Sequence, residues 1–146
     1  MPYKDCTPDK IKYIKNAVDT NRFKRLDERK RKMWREDRGW NADDPIIIFS
    51  GRLVYRKGVD LLIETWEKVV RTHANARLII LGSGENHPDS IEDQIRFTIE
   101  EKGLLNVYLE GFRNKPEIYL GISDILIVPS RKEGLPNVIL EGMSSE

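Results

Sequence analysis

Two carboxylates, Glu133 and Glu141, stand eight positions apart near the end of this 146-residue chain, and three cations, Arg52, Arg56 and Lys57, crowd a turn near its middle. These are the residue types that grip phosphates and sugar hydroxyls. Glu133 lies in the stretch Pro129-Ser130-Arg131-Lys132-Glu133-Gly134-Leu135-Pro136 and Glu141 follows the apolar run Val138-Ile139-Leu140. A charge in an apolar run is costly unless it finds a partner such as ligand hydroxyls. The alternative is that Glu141 faces solvent on an amphipathic helix. Spacing alone decides nothing, because 24 acidic residues supply such pairs by chance. Gly134 would let the loop backbone approach a ligand, and the N–H groups of Asn137 and Val138 would be free at a helix start.

The basic turn runs Ser50-Gly51-Arg52-Leu53-Val54-Tyr55-Arg56-Lys57-Gly58. Amides at a helix N-terminus and the helix dipole favour an anion, arginine can grip two phosphate oxygens at once, and lysine adds a compact charge. Ordinary exposed basic residues on a long loop would look the same. In Leu81-Gly82-Ser83-Gly84-Glu85, Gly82 and Gly84 mark backbone passing close to something, but the third glycine of a dinucleotide fingerprint is missing. A plain tight turn fits equally. In Glu110-Gly111-Phe112-Arg113-Asn114, an aromatic ring and a guanidinium follow Gly111, suited to flanking a nucleobase, with Phe112 as core the competing reading. His73 and His87 sit after a helix and in a polar loop, where surface histidines are common.

These turns need a scaffold. After Asp43-Asp44-Pro45, short apolar runs alternate with amphipathic stretches, the pattern of a parallel sheet covered by helices. Strands are expected at Ile46 to Ser50, Ala76 to Leu81, Val107 to Gly111 and Asp124 to Val128. Val59, Leu62, Ile63, Trp66, Val69 and Val70 recur at helical spacing, as do Ile91, Ile95, Ile99 and Leu104. A short helix fits Lys115 to Ile122, and a last one begins near Pro136. The order predicts an α/β, Rossmann-like doubly wound fold, in which ligands bind at the carboxyl ends of the strands. Upstream, the charge-dense residues 24–44 predict a solvated surface helix ending at Gly39, packed through Leu26, Met33, Trp34 and Trp40.

Composition narrows the function. With 25 basic against 24 acidic residues there is no charge excess for nucleic acid or an anionic membrane, so any anion site is local. The longest apolar runs are too short to span a bilayer, and Met1-Pro2-Tyr3-Lys4-Asp5-Cys6 lacks a signal core. A single cysteine, Cys6, cannot form an internal disulfide and fits a reducing, cytoplasmic setting.

Gly51-Arg52-Leu53 with Lys57-Gly58, then Leu81-Gly82-Ser83-Gly84, then Pro129-Ser130, Glu133-Gly134 and Glu141-Gly142-Met143, in this order and spacing, resemble the C-terminal domain of retaining glycosyltransferases. The family is group 1, or family 4, of GT-B architecture, with its E-x7-E motif. The resemblance spans roughly residue 15 to the end. It implies a donor-binding domain over 45–146, incomplete at its C-terminal end, after an interdomain linker and surface helix over 1–44. It also implies that a UDP-, GDP- or ADP-sugar is the donor substrate, with no separate cofactor and no metal. Arg52 and Lys57, backed by Gly51 and Gly82, would hold the diphosphate, and Glu141 the ribose hydroxyls. Glu133 would meet the transferred sugar, with Gly134, Leu135, Pro136, Asn137 and Val138 lining the ligand. Gly111, Phe112 and Arg113 would flank the base. Asn16-Ala17-Val18-Asp19 before Phe23 is similar to the family's crossover between domains, with Ala17 in place of glycine. An N-terminal acceptor-binding domain would be the missing partner, and the fragment alone would not be catalytically competent, though the parent enzyme could lie peripherally at a membrane. A non-catalytic nucleotide-binding module and a GT-B epimerase are the competing readings.

Overall fold

The computed structural model describes residues 11–146, so Cys6 lies outside the described residues. Four strands, β1 (Ile46–Ser50), β2 (Arg77–Leu81), β3 (Val107–Gly111) and β4 (Ile125–Leu126), form one sheet in the order β3-β2-β1-β4. All pairings are parallel, with Ile46 opposite Arg77 and Ile47 opposite Ile125. This is the Rossmann-like arrangement that the alternation of apolar runs and amphipathic stretches predicts.

The run Ile46-Ile47-Ile48-Phe49 is buried throughout because both faces of its strand are covered. Ile47 and Phe49 point into one core with Trp66, Leu78, Ile80 and Ile95, beneath α2 (Val59–Thr72) and α3 (Glu92–Glu101). Ile46 and Ile48 point into the other with Phe23, Trp40, Ile79, Leu120 and Ile122, beneath α1 (Glu28–Glu36) and α4 (Pro116–Ile122). The period of two along each strand thus divides the apolar residues between two helical layers.

Two differences from the sequence expectation have clear causes. In α1, Met33 is 51% exposed, whereas Arg31 and Arg35 are each 2% exposed. Both arginines bind the carboxylate of Asp124, which also accepts the Ile46 N–H at 2.8 Å. The inward stripe of this helix is therefore partly ionic. A carboxylate at the start of β4 supplies the pairing that makes two buried guanidinium groups tolerable. Secondly, β4 is two residues long rather than the five expected, because its ladder with β1 pairs only Ile125 and Leu126. Hydrogen bonds from Asp124 N to Ile46 O and from Ile127 N to Ile48 O continue its alignment at both ends.

The last helix, α5 (Asn137–Met143), begins directly after Pro136, close to its expected start. Its Gly142 lies against β4, where a Cβ would come within 2.3 Å of the Leu126 side chain. No helix among the described residues is long and apolar enough to cross a membrane.

Candidate functional site

In sheet order, the chain moves outward from β1 to β2 and β3, then returns to place β4 on the other side of β1. The crevice above β1 and β4 is therefore the topological switch point, where open α/β sheets bind ligands. The turn after β1 and the loop after β4 meet there. Gly58 makes the meeting possible: its φ is +71°, and a Cβ would lie 2.1 Å from Pro129 O.

At this junction the Lys57 ammonium donates to the Glu133 carboxylate, and Arg56 Nη1 stands 3.6 Å from the other Glu133 oxygen. Hydrogen bonding from Lys57, followed by the nearby charges, holds the Glu133 carboxyl below its ordinary value despite some desolvation. The sequence places these groups 76 residues apart, and the fold makes them an ion pair.

Glu141 is in a different environment. It is half-buried on α5, and among the described residues no hydrogen bond or ion pair reaches its carboxylate. Burial raises its pKa, and the charge of Glu117 adds to the rise while Arg22 opposes it. Arg22 is itself paired with Glu117 at 2.9 Å. A half-buried carboxylate without a donor is poised to accept hydrogen bonds from a ligand.

A cleft of about 230 Å³ opens at the carboxyl ends of β1, β2 and β3, lined by Arg52, Gly51, Gly82, Ser83, Phe112 and Arg113 among others. The structure thus brings Gly51, Arg52, Gly82, Phe112 and Arg113 together, and separately joins Lys57 to Glu133. Arg52 is exposed and without a side-chain partner among the described residues. Phe112 is 74% exposed, which overturns its reading as core. Arg113 is engaged, donating to Glu110 at 2.8 Å and to the Tyr119 hydroxyl at 3.1 Å. Gly111 precedes the pair with φ +68°. The glycines of the second turn serve the protein itself. At Gly82 (φ +126°) a Cβ would sit 1.9 Å from Gly51 O, and at Gly84 it would sit 2.1 Å from the Ser90 hydroxyl.

A family model described as "Glycosyl transferases group 1" matches residues 30–146. The chain belongs to the group 1 glycosyl transferases. It is 31% identical over 137 residues to an uncharacterized glycosyltransferase of Methanocaldococcus jannaschii, covering 93% of this chain but 32% of that relative. It is 33% identical to S. aureus TarM, solved as a mutant in complex with fondaparinux, α-GlcNAc-glycerol and UDP, with a TM-score of 0.64 over 70% of this chain and 20% of that one. Anabaena HepE, solved with UDP and glucose, shares the fold at a TM-score of 0.80 and 22% identity, over 97% of this chain and 38% of that one. This group 1 chain therefore spans about a third of the curated relative's length, and its sheet with flanking helices is one Rossmann-like unit of the GT-B type.

Several residues that shape the site in this glycosyl transferase chain escaped the sequence reading. Arg131 makes a paired contact with Asp60, both bonds at 2.7 Å. Asn16 Nδ2 donates to Leu135 O and to Asn137 Oδ1, each at 3.0 Å, tying the segment before Phe23 to the entry of α5. The side chain of Glu92 accepts from Gly84 N at 2.7 Å and from the Ser83 hydroxyl at 2.9 Å, which organises the second turn. Asp60 had a visible signal, being an acid beside Val59 on the inward stripe of α2. Glu92 had none, because its partners lie in a loop whose path the sequence does not specify.

Proposed function

We propose that this chain is the donor-binding part of a retaining, family 4 glycosyltransferase, which transfers a sugar from a UDP-, GDP- or ADP-sugar to a saccharide, lipid or other acceptor. The observation that supports it most is the meeting of the β1 turn and the β4 loop at the switch point, which sets Lys57 and Arg56 against Glu133 beside the unpaired Arg52. In this reading Arg52 and Lys57 hold the diphosphate and stabilise the departing nucleoside diphosphate, the role of charge placed where charge develops. Glu141 accepts the ribose hydroxyls, and Phe112 with Arg113 flanks the base. Glu133 and Gly134 to Val138 face the transferred sugar. The Lys57–Glu133 pair opens when the diphosphate arrives, since one ammonium cannot serve both anions fully.

The parent enzyme would supply the acceptor-binding half, with residues 1–44 leading into the donor domain over 45–146 and packing on it through Phe23, α1 and Trp40. Positive side chains rather than a metal would neutralise the diphosphate. The single cysteine favours a cytoplasmic setting. Calorimetric titration of the folded chain with UDP, GDP and ADP and their sugars tests the reading. Binding of one series that is lost in Arg52→Ala is the expected result. A folded chain that binds none of them defeats it.

A further inference from the structure

The loop carrying Glu133 is gripped at its first residues by contacts that lie outside the ligand cleft. Both guanidinium arms of Arg131 bond to Asp60, one to each oxygen at 2.7 Å, and Nη1 also donates to Tyr55 O at 2.7 Å. The guanidinium lies over the Tyr55 ring, 3.7 Å from its centre. Backbone contacts add to this grip: Arg131 N donates to Arg56 O at 2.9 Å, and Arg56 Nη1 donates to Lys132 O at 2.9 Å. Asp60 belongs to the first turn of α2, where the helix dipole favours an acid, and its side chain is 11% exposed. Hydrogen bonding from Arg131 keeps its carboxyl ionised well into acid.

Glu133 is two residues beyond Arg131, so the chain between them, at most about 3.5 Å per residue, leaves it little room to wander once Arg131 is fixed. The far end of the loop is held by Asn16 through Leu135 and Asn137. Neither Asp60 nor Arg131 lines the cleft that contains Arg52 and Phe112.

We infer that Asp60 is a positioning residue that acts through Arg131 to fix Glu133 at the sugar end of the donor site. This rests on the donor-site reading above. A paired Arg–carboxylate contact has the directional rigidity such a task needs, because two parallel bonds fix orientation as well as distance. Tyr55 completes the seat by holding the guanidinium plane from below.

The test separates the two ends of the ligand. UDP-glucose, GDP-mannose and ADP-glucose are titrated beside UMP, GMP and AMP, on the unaltered chain and on Asp60→Asn, Asp60→Glu and Tyr55→Leu. In the series that binds, Asp60→Asn lowers affinity for the nucleotide sugar by about tenfold while the monophosphate changes less than about twofold. Asp60→Glu restores most of the loss, and the amides of residues 132–135 exchange faster in Asp60→Asn than in the unaltered chain. Tyr55→Leu, which leaves the buried carboxylate in place, gives a smaller loss of the same kind should Asp60→Asn not fold. Equal losses for sugar and monophosphate indicate a merely structural contact and overturn the positioning role. Unchanged affinities with unchanged exchange overturn it too. If the unaltered folded chain binds none of the six ligands, the donor-site reading falls and the positioning role with it, whereas faster exchange without any selective loss removes the positioning role alone.

Discussion

The loop entering α5 and the helix itself hold Glu133 and Glu141 in opposite electrostatic situations. Glu133 is met by the ammonium of Lys57 and the guanidinium of Arg56, and its pKa is depressed. Glu141 is half-buried, finds no donor among the described residues, and its pKa is raised by desolvation. A carboxylate already satisfied within the protein must exchange partners to bind a ligand, whereas an unsatisfied one gains partners outright. In the proposed donor site, the difference would separate a residue whose position is set before the donor arrives from one that the donor completes.

Glu141 carries the largest expected effect. In the proposed site, replacing it with alanine removes an acceptor for two hydroxyls, at about 1.5–3 kcal/mol for each charged hydrogen bond lost. Nucleotide affinity in calorimetry is expected to fall by at least roughly tenfold. Retained affinity would erase the contrast between the two carboxylates.

The pH profile sharpens it next. A raised folded-state pKa means that Glu141 keeps its proton to higher pH in the folded chain than in the unfolded one, so its contribution to stability is present at low pH and lost as pH rises through the folded value. An ionised carboxylate accepts strongly from both ribose hydroxyls, whereas the protonated acid is the weaker acceptor. Nucleotide affinity should therefore weaken as pH falls through the window just above the ordinary glutamate range, and Glu141→Gln should flatten that dependence. Glu133, depressed by Lys57, stays ionised across the same window and loses its stabilising contribution only at lower pH. An unchanged profile in Glu141→Gln would assign the titration elsewhere.

Glu133→Gln gives a smaller and opposite effect. It removes the anion that competes for Lys57, so affinity for a nucleoside diphosphate without its sugar should be kept or rise by about twofold to fivefold. A marked loss would show that Glu133 itself contacts the diphosphate. The smallest expected effects are on stability. In thermal unfolding at neutral pH, Glu141→Gln should be neutral or slightly stabilising because it removes an unpaired, half-buried charge. Glu133→Gln should cost about 0–1 kcal/mol, as expected for a partly exposed pair.

Much of the scaffold was legible because burial on both faces imposes a continuous apolar run on each inner strand, and amphipathic helices must lie between them. The stretches at Ile46 to Ser50 and Val107 to Gly111 match their strands, and Ala76 to Leu81 differs by one residue. The strand β4 was read too long, since its apolar run does not show where its ladder with β1 stops. The inward arginines of α1 were unreadable for a related reason: Arg31 and Arg35 become core groups only where Asp124 meets them from the far end of the chain.

For the site, the candidate residues were legible from type and place: Gly51-Arg52 and Lys57 follow β1, Glu133 precedes α5 and Glu141 lies within it. Their deployment came from the packing of distant segments. It joined Lys57 to Glu133 across 76 residues, left Glu141 half-buried without a donor, turned Gly82 against Gly51 O, and seated Arg131 on Asp60. Residue types and local periodicity travel with the chain, whereas the partner of a charge depends on which strands become neighbours. That neighbour relation, β4 beside β1, is the one that sets the two glutamates apart.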